Sequence, residues 1–240
     1  GESPIERRKI LLLGSCFFLM IASYTILKEL KDSIFMSMVG GKEYVPYAKM
    51  ITMVGLIPLV FLYSYLVDRV RRYQLLVIYA CVFGVLGLLS AYLVGHPSIG
   101  LSNTVANPNR LFGWFFYLFV ESYSPFIIGV YWAFINSINS PESARKQYGL
   151  LVSGSKLGGT FSAAVAWMLL SWNNNCALLH FSDTHTHQFL ITLSSCLLLC
   201  VPFVVYYFIR KIPGRYMHGY EAAYQFEKQR DKESPEKVGI

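Results

Sequence analysis

Charge is scarce in this chain: Asp, Glu, Lys and Arg together make 15% of its 240 residues, where a soluble domain carries about 25%. Too few charged side chains are present to coat a water-facing surface, which excludes a soluble globular domain. Hydrophobic residues make up 54%, with a mean hydropathy of +0.42, and that excludes a disordered chain. Cysteines are few. Cys16, Cys81, Cys196 and Cys200 fall inside apolar runs and Cys176 in a loop, so no disulfide framework or metal-binding Cys pair is present and they serve as small hydrophobes. The chain also lacks a Gly-rich phosphate loop before a soluble helix, an HExxH helix and a nucleophile beside a histidine. An enzyme reading has nothing to stand on, and no cofactor or metal is implied.

What is present is six long apolar blocks. A bilayer core needs about 20 apolar residues per helix, and spans are predicted at roughly 10–38, 45–67, 74–95, 111–138, 148–171 and 187–209. The runs are continuous rather than alternating, which fits helices and not barrel strands. The fold class is therefore all-α: a polytopic membrane protein with a six-helix domain over 1–212. Residues 213–240, rich in Glu, Lys and Gln, form a charged tail, expected to be cytoplasmic and helical in part. The first block follows Arg7, Arg8 and Lys9, is too long for a signal peptide and has no suitable cleavage site, so it is read as a retained helix.

Basic residues set the topology. Arg7, Arg8, Lys9, Arg69, Arg71, Arg72, Arg145, Lys146, Arg210, Lys211 and Arg215 fall on one side of the six spans. Lys42, Lys49 and Arg110 fall on the other. Eleven against three places both termini in the cytoplasm and loops 96–110 and 172–186 outside. The excess positive charge thus serves orientation and lipid headgroups, not nucleic acid.

Ionisable residues inside spans cost roughly 2.5–3.5 kcal/mol each on insertion scales and are functional candidates by default. On span one, Lys28, Lys31 and Asp32 share a helical face with Tyr24, and Glu29 points elsewhere. Lys28 and Asp32 are expected to pair at i,i+4, leaving Lys31 for a ligand. The alternative is that span one ends near Leu27 and these charges sit at the outer interface. On span four, Glu121 lies near the midplane on a stripe with Tyr117 and Ser124, and Pro125 kinks the helix and frees a carbonyl. A protonated Glu121 bonding a neighbouring helix is the structural alternative. Lys156, among Gly154, Ser155, Gly158 and Gly159 on span five, needs an anion; Glu121 is the natural partner, and snorkelling to the membrane edge is the other reading. The cluster of His180, Asp183, His185 and His187 lacks rigid ligand spacing and reads as a solvated loop.

Two sequence features resemble known transporters. Asp68-Arg69-Val70-Arg71-Arg72, between spans two and three, resembles the cytoplasmic loop motif of the major facilitator superfamily without its glycine. The stretch Tyr24-Thr25-Ile26-Leu27-Lys28-Glu29-Leu30-Lys31-Asp32-Ser33 resembles the first-helix signature of the ATP/ADP antiporter family, the nucleotide transporters of plastids and obligate intracellular bacteria. The segment from Glu121 to Trp132-Ala133-Phe134-Ile135-Asn136, followed by Glu142-Ser143-Ala144-Arg145-Lys146-Gln147-Tyr148, is similar to that family's fourth helix and the loop after it.

The resemblance implies the N-terminal half of a twelve-helix transporter, built from three-plus-three helix repeats. Nucleotides would exchange or be taken up by alternating access. The implied partners are a nucleotide or other phosphorylated anion, the bilayer, and a C-terminal half or a second copy of the chain. Family positions important for transport map onto Lys31 and Glu121. The full candidate binding set adds Lys28, Asp32, Lys156, Tyr24, Tyr117 and Asn136, with Asp68, Arg69, Arg71 and Arg72 as conformational gates. In this set lysines supply point charges for phosphate and a tyrosine stacks on a base. Location in a bacterial inner membrane is expected, with the plastid inner envelope as the alternative. The chain departs from the family at Tyr123-Ser124-Pro125, where Trp-Gly-Ser is usual, and at Lys156, near which the family carries an asparagine. Those departures leave open a proton-coupled transporter of another phosphorylated metabolite, or a membrane scaffold or receptor that keeps only the fold.

Overall fold

The computed structural model describes residues 3–175 and 183–213. Six long helices follow in order: α1 (Pro4–Phe35, prolonged by a π turn at Met36–Gly40), α2 (Val45–Val67), α3 (Arg72–Gly95), α4 (Leu111–Ile138), α5 (Pro141–Asn175) and α6 (Asp183–Lys211). The described residues contain no strand. All of these helices but α5 are long and apolar enough to cross a membrane; α5 has the length but carries more polar residues. The molecule is an all-α polytopic membrane protein.

Local chemistry explains most ends. Ser3 caps α1 through a capping box, its hydroxyl accepting from the Glu6 N–H at 3.3 Å while Glu6 accepts from the Ser3 N–H at 3.1 Å, with Pro4 in the first turn. The helix runs well past Leu27 and stops after its π turn, where Gly40 (φ 105°) and Gly41 (φ 72°) adopt the left-handed conformations that favour glycine. The helix itself does not end near Leu27: Leu30, Ile34, Phe35, Met38 and Val39 all lie in the core. Three boundaries also move outward. Helix α1 begins at Pro4, α5 at Pro141, so that Arg145 lies on a helix and not in a loop, and α6 at Asp183. His187 is buried in the first turn of α6, its Nδ1 2.8 Å from the Asp183 carbonyl, which corrects the solvated-loop reading. Cys176, His180 and the tail from Gly214 lie outside the described residues.

Helix α1 is central. It packs along α5 on one side and α6 on the other, and crosses α4; α3 lies along α6, and α2 leans on α4. Exchanging the first three helices with the last three turns the α1/α5 contact into α4/α2 and α1/α6 into α4/α3. The α3/α6 contact maps onto itself. This is the pairing that two three-helix repeats produce. Small residues allow the close approaches. A Cβ at Gly87 or Gly84 on α3 would collide with Ser195 or Leu199 on α6, and one at Gly158 on α5 would press on Phe18 of α1 at 3.0 Å. Ser23 and Ser194 clamp α1 to α6, each hydroxyl 2.8 Å from the other's carbonyl.

The extramembrane loop 96–110 is organised by one side chain. The Arg110 guanidinium donates to the carbonyls of Asn103 (2.9 Å), Val105 (3.1 Å), Ile99 (2.7 Å) and Gly100 (2.6 Å). The Asn107 N–H donates to the Met38 carbonyl at 2.9 Å, tying the loop to the end of α1.

Inserting a branched side chain at the α3/α6 contact is expected to overpack it by about 1–3 kcal/mol. Gly87→Val then lowers the thermal midpoint in detergent by about 3–10 °C. Gly154→Ala, whose Cβ enters open space, leaves the midpoint unchanged. Equal midpoints for the two variants would show that the contact is not tight.

Candidate functional site

Helices α1 and α4 run antiparallel, and their facing side chains meet in an aromatic ladder. Phe17 stacks on Tyr131 (centroids 4.7 Å, planes 5° apart), Tyr24 on Tyr123 (5.6 Å, 24°), and Phe35 meets Tyr117 and Trp114 at 5.1 Å each. Rising numbers on α1 meet falling numbers on α4, so the ladder fixes the register of the crossing. The Tyr131 hydroxyl adds a 2.8 Å hydrogen bond to the Leu13 carbonyl. Each such aromatic pair contributes about 0.5–1.5 kcal/mol beyond its buried area.

Between two rungs of this ladder sit the charges. The Lys31 Nζ donates to Glu121 Oε1 and forms an ion pair with it. It also lies 4.7 Å from the centroid of the Tyr117 ring, a cation–π contact, and 3.9 Å from Asp32 Oδ1. Lys31 is 9% exposed and Tyr117 1%, whereas the Glu121 side chain is 35% exposed. The ammonium is thus enclosed while its carboxylate partner faces outward. Tyr117 contributes a buried hydroxyl with no hydrogen-bond partner among the described residues. Three residues beyond Glu121 the helix widens into a π turn, Ser124–Ile128, with Pro125 near its start. Pro125 has no N–H, so the carbonyl one turn back, that of Glu121, loses its usual helical donor.

Other candidates lie elsewhere. Lys28 and Asp32 are exposed. The expected pairing of Lys28 with Asp32 does not form; the carboxylate of Asp32 leans to Lys31, the reverse of the expected division of labour. Lys156 is exposed on α5, with no carboxylate within 4 Å among the described residues, and Glu121 is held by Lys31 in its place. The small residues beside Lys156 serve the α1 contact instead: Gly158 packs on Phe18. Tyr24 is half-buried and already stacked on Tyr123. Asn136 is far from the pair, 15 residues along α4 and so about 22 Å at 1.5 Å per residue. It lines a separate cavity with Asp68, Arg69, Arg71 and Arg72. In that loop Arg69 lies over the Tyr65 ring at 4.1 Å, Arg71 over Tyr73 at 4.8 Å, and Arg72 Nη1 donates to the Val67 carbonyl at 2.6 Å.

Comparison with known proteins then decides the family. The model of the TLC ATP/ADP transporter family matches residues 3–240. The chain belongs to that family. It is 28% identical over 188 residues to the plastidic ATP/ADP-transporter of Solanum tuberosum, and 28% identical over 186 residues to the chloroplastic ADP,ATP carrier protein 1 of Arabidopsis thaliana. Each alignment covers 68% of this chain and 29% of the relative, so the chain spans under a third of the length of the curated relatives it matches. No solved structure gives a significant match. The TLC ATP/ADP transporter family is one of carriers and not of enzymes.

Sequence reasoning missed the partners that position the pair in this family member. Phe17, Tyr123 and Tyr131 do not stand out in the sequence, because a helical wheel does not say which apolar face meets another helix. The signal available for Tyr131 is its heptad spacing from Tyr117 and Ser124, which keeps the three near one side of a regular helix.

Removing one partner of an enclosed ion pair strands the other and costs about 3–5 kcal/mol. Glu121→Gln alone, which strands the enclosed ammonium, is therefore expected to destabilise the purified protein by up to that order, and Lys31→Met, which leaves the partly exposed carboxylate, by less. The double variant Lys31→Met/Glu121→Gln, which leaves no uncompensated charge, recovers more than half of the loss. Thermal unfolding of the two singles and the double closes the cycle; purely additive losses would show that the two side chains are not coupled.

Proposed function

We propose that this chain supplies the substrate-facing helices of a nucleotide transporter that exchanges ATP and ADP. The single observation that carries the reading is the enclosed contact of Lys31, Glu121 and Tyr117 between α1 and α4. Family membership and the two relatives, an ATP/ADP transporter and an ADP,ATP carrier, supply the substrate class.

The geometry suits exchange. With the site empty, Glu121 neutralises Lys31 and keeps the ammonium charged and aimed. A nucleotide phosphate offers a stronger, multiply charged acceptor and takes Lys31 over, displacing Glu121 toward its exposed side. The Tyr117 hydroxyl, which has no partner in the empty arrangement, then becomes a donor to the same phosphate or to a base edge. On release Glu121 returns, so the lysine is never left alone in the apolar bundle. Such a swap lowers the cost of both the empty and the loaded forms, and a carrier that must return loaded works between two paired states. The π turn beside Glu121 supplies the local give that the swap needs.

The excess of basic residues on one side of the spans supports the orientation, and the membrane, the second unit and the loop extend the same reading. The chain sits in the membrane with both termini in the cytoplasm, in a bacterial inner membrane. A second six-helix unit covers the exposed side of Glu121. Loop 68–72 holds one state of the cycle by bracing α2 against α3.

Two measurements test this on the complete polypeptide in proteoliposomes. Lys31→Gln is expected to weaken ATP and ADP affinity by about 10- to 100-fold, the value of one charge-assisted hydrogen bond. Glu121→Gln chiefly changes turnover and its pH dependence. Native affinity in Lys31→Gln would remove the phosphate-binding role. For orientation, cysteines at Val105 and Tyr220 are expected to label from opposite faces of the membrane; labelling from one face would overturn the topology.

A further inference from the structure

Two cavities away from the Lys31–Glu121 site lie one after the other on α2, α3 and α4. The first, about 620 Å³, is lined by Asp68, Arg69, Arg71 and Arg72 at the turn between α2 and α3, and by Asn136 and Ser137 at the end of α4. It holds three guanidinium groups against one carboxylate. Arg72 spends one of its N–H donors on the Val67 carbonyl and Arg69 rests on the Tyr65 ring. Each guanidinium has five donors, so both retain donors for an oxyanion. The second cavity, about 260 Å³, is lined by apolar side chains, among them Leu62 and Leu66 of α2, Ile78 and Val82 of α3, and Phe115 and Phe126 of α4. Its polar side chains are Ser122, which donates to the Phe119 carbonyl at 2.8 Å, and Tyr79, whose ring stacks on Phe83 and Phe126.

The two approach each other on α2, where Val67 lines the charged cavity and Leu66 the apolar one. The groove opens sideways, since Leu62 and Val82 are each 50% exposed. From Arg72 to Leu86, the last residue of α3 in the groove, the helix rises about 21 Å. One leaflet of a bilayer core is about 15 Å deep. A ligand matching this shape has an anionic head, binds at the water-facing end of an apolar bundle, and carries a hydrocarbon tail about one leaflet long.

We propose that these cavities form one binding site for an anionic diacyl phospholipid. Its phosphodiester is held by Arg69 and Arg72, and one acyl chain lies in the groove between α2 and α3. Planar guanidinium groups hold phosphate oxygens in pairs, which an ammonium cannot do. The arginines by themselves accept any phosphate; the apolar groove that begins beside them at Leu66 commits the proposed site to a lipid. The net positive charge of the cavity favours headgroups without a compensating ammonium.

The site is tested on the full-length protein, delipidated in detergent, by native mass spectrometry with phosphatidylglycerol, phosphatidylcholine of the same acyl chains, and inorganic phosphate as competitor. Phosphatidylglycerol is expected to be retained about 10-fold better than phosphatidylcholine, the value of one charge-assisted contact. Arg69→Gln/Arg72→Gln brings the two lipids to parity. Val82→Trp, which fills the groove from its exposed rim, weakens phosphatidylglycerol about 10-fold without touching the arginines. Equal retention of both lipids by the unaltered protein would overturn the proposal. So would displacement of phosphatidylglycerol by inorganic phosphate together with no effect of Val82→Trp, which would mark a site for free phosphate only. If the glutamine variant fails to fold, Val82→Trp and the charge-conserving Arg69→Lys/Arg72→Lys decide the matter. Lipid retention is read without transport, so its failure is separate from a failure of the nucleotide reading.

Discussion

An ammonium group inside an apolar helix bundle is tolerated only where an anion meets it, and in this molecule that requirement joins α1 to α4. Lys31 is enclosed by its own helix, by the Tyr117 ring and by Glu121. A shift of either helix by one turn would strand the charge at a cost of several kcal/mol. The aromatic ladder enforces the same register through shape, with Phe17 on Tyr131 and Tyr24 on Tyr123. Electrostatics and packing therefore specify one crossing, and the remaining helices take their places on it: α5 and α6 along α1, α2 and α3 along α4.

The apolar side chains that the bundle leaves uncovered are concentrated where the repeat relation predicts a common environment. Of α2, only Ala48 and Thr52 are buried, and Met50, Met53, Val54, Ile57 and Phe61 stand at least half exposed. Its counterpart α5 exposes Leu150, Leu157, Phe161 and Trp167. Water would not accept such faces; lipid and other helices do. Helices α1 and α4 are the reverse, with most of their bulk inside and their charges between them. That division separates what holds the bundle together from what it presents to its surroundings.

The helix content and the order of six long helices were legible because bilayer thickness imposes a block length that no soluble constraint imitates. Lys31 and Glu121 were legible as exceptional residues for the same reason: charge stands out against an apolar background. Which lysine Glu121 takes was not. A helical wheel puts Lys28 one turn from Asp32 and so favours a local pair, whereas the fold supplies Lys31 with a carboxylate 90 residues away. Lys156 misled in the opposite way. Its glycine neighbours do mark a close helix contact, but with α1 through Gly158, leaving the lysine itself exposed. Asn136 belonged by resemblance to the same segment as Glu121, yet linear proximity on a long helix is distance along its axis, and it ends beside the arginines of the α2 to α3 turn. Arg110 read only as a charge on the minority side. Its four backbone acceptors are scattered over residues 99–105, a pattern with no spacing to recognise.

The π turn at Ser124–Ile128 makes α4 two rods rather than one. An α-helix transmits torque because each N–H is locked to the carbonyl four residues back; a π turn puts one residue out of step, and Pro125 removes a further link. The rod ending at Ile138 is clamped at Tyr131 to the Leu13 carbonyl and at its terminus by the Lys9 ammonium, 3.4 Å from the Ile138 carbonyl. The rod carrying Tyr117 and Glu121 has its own hold on α1, through the Tyr123 hydroxyl, which donates to the Met20 carbonyl at 3.4 Å, and through the Lys31–Glu121 pair. A twist applied to one rod is thus absorbed at the swivel instead of reaching the other, and each end of α4 keeps its grip on α1 independently.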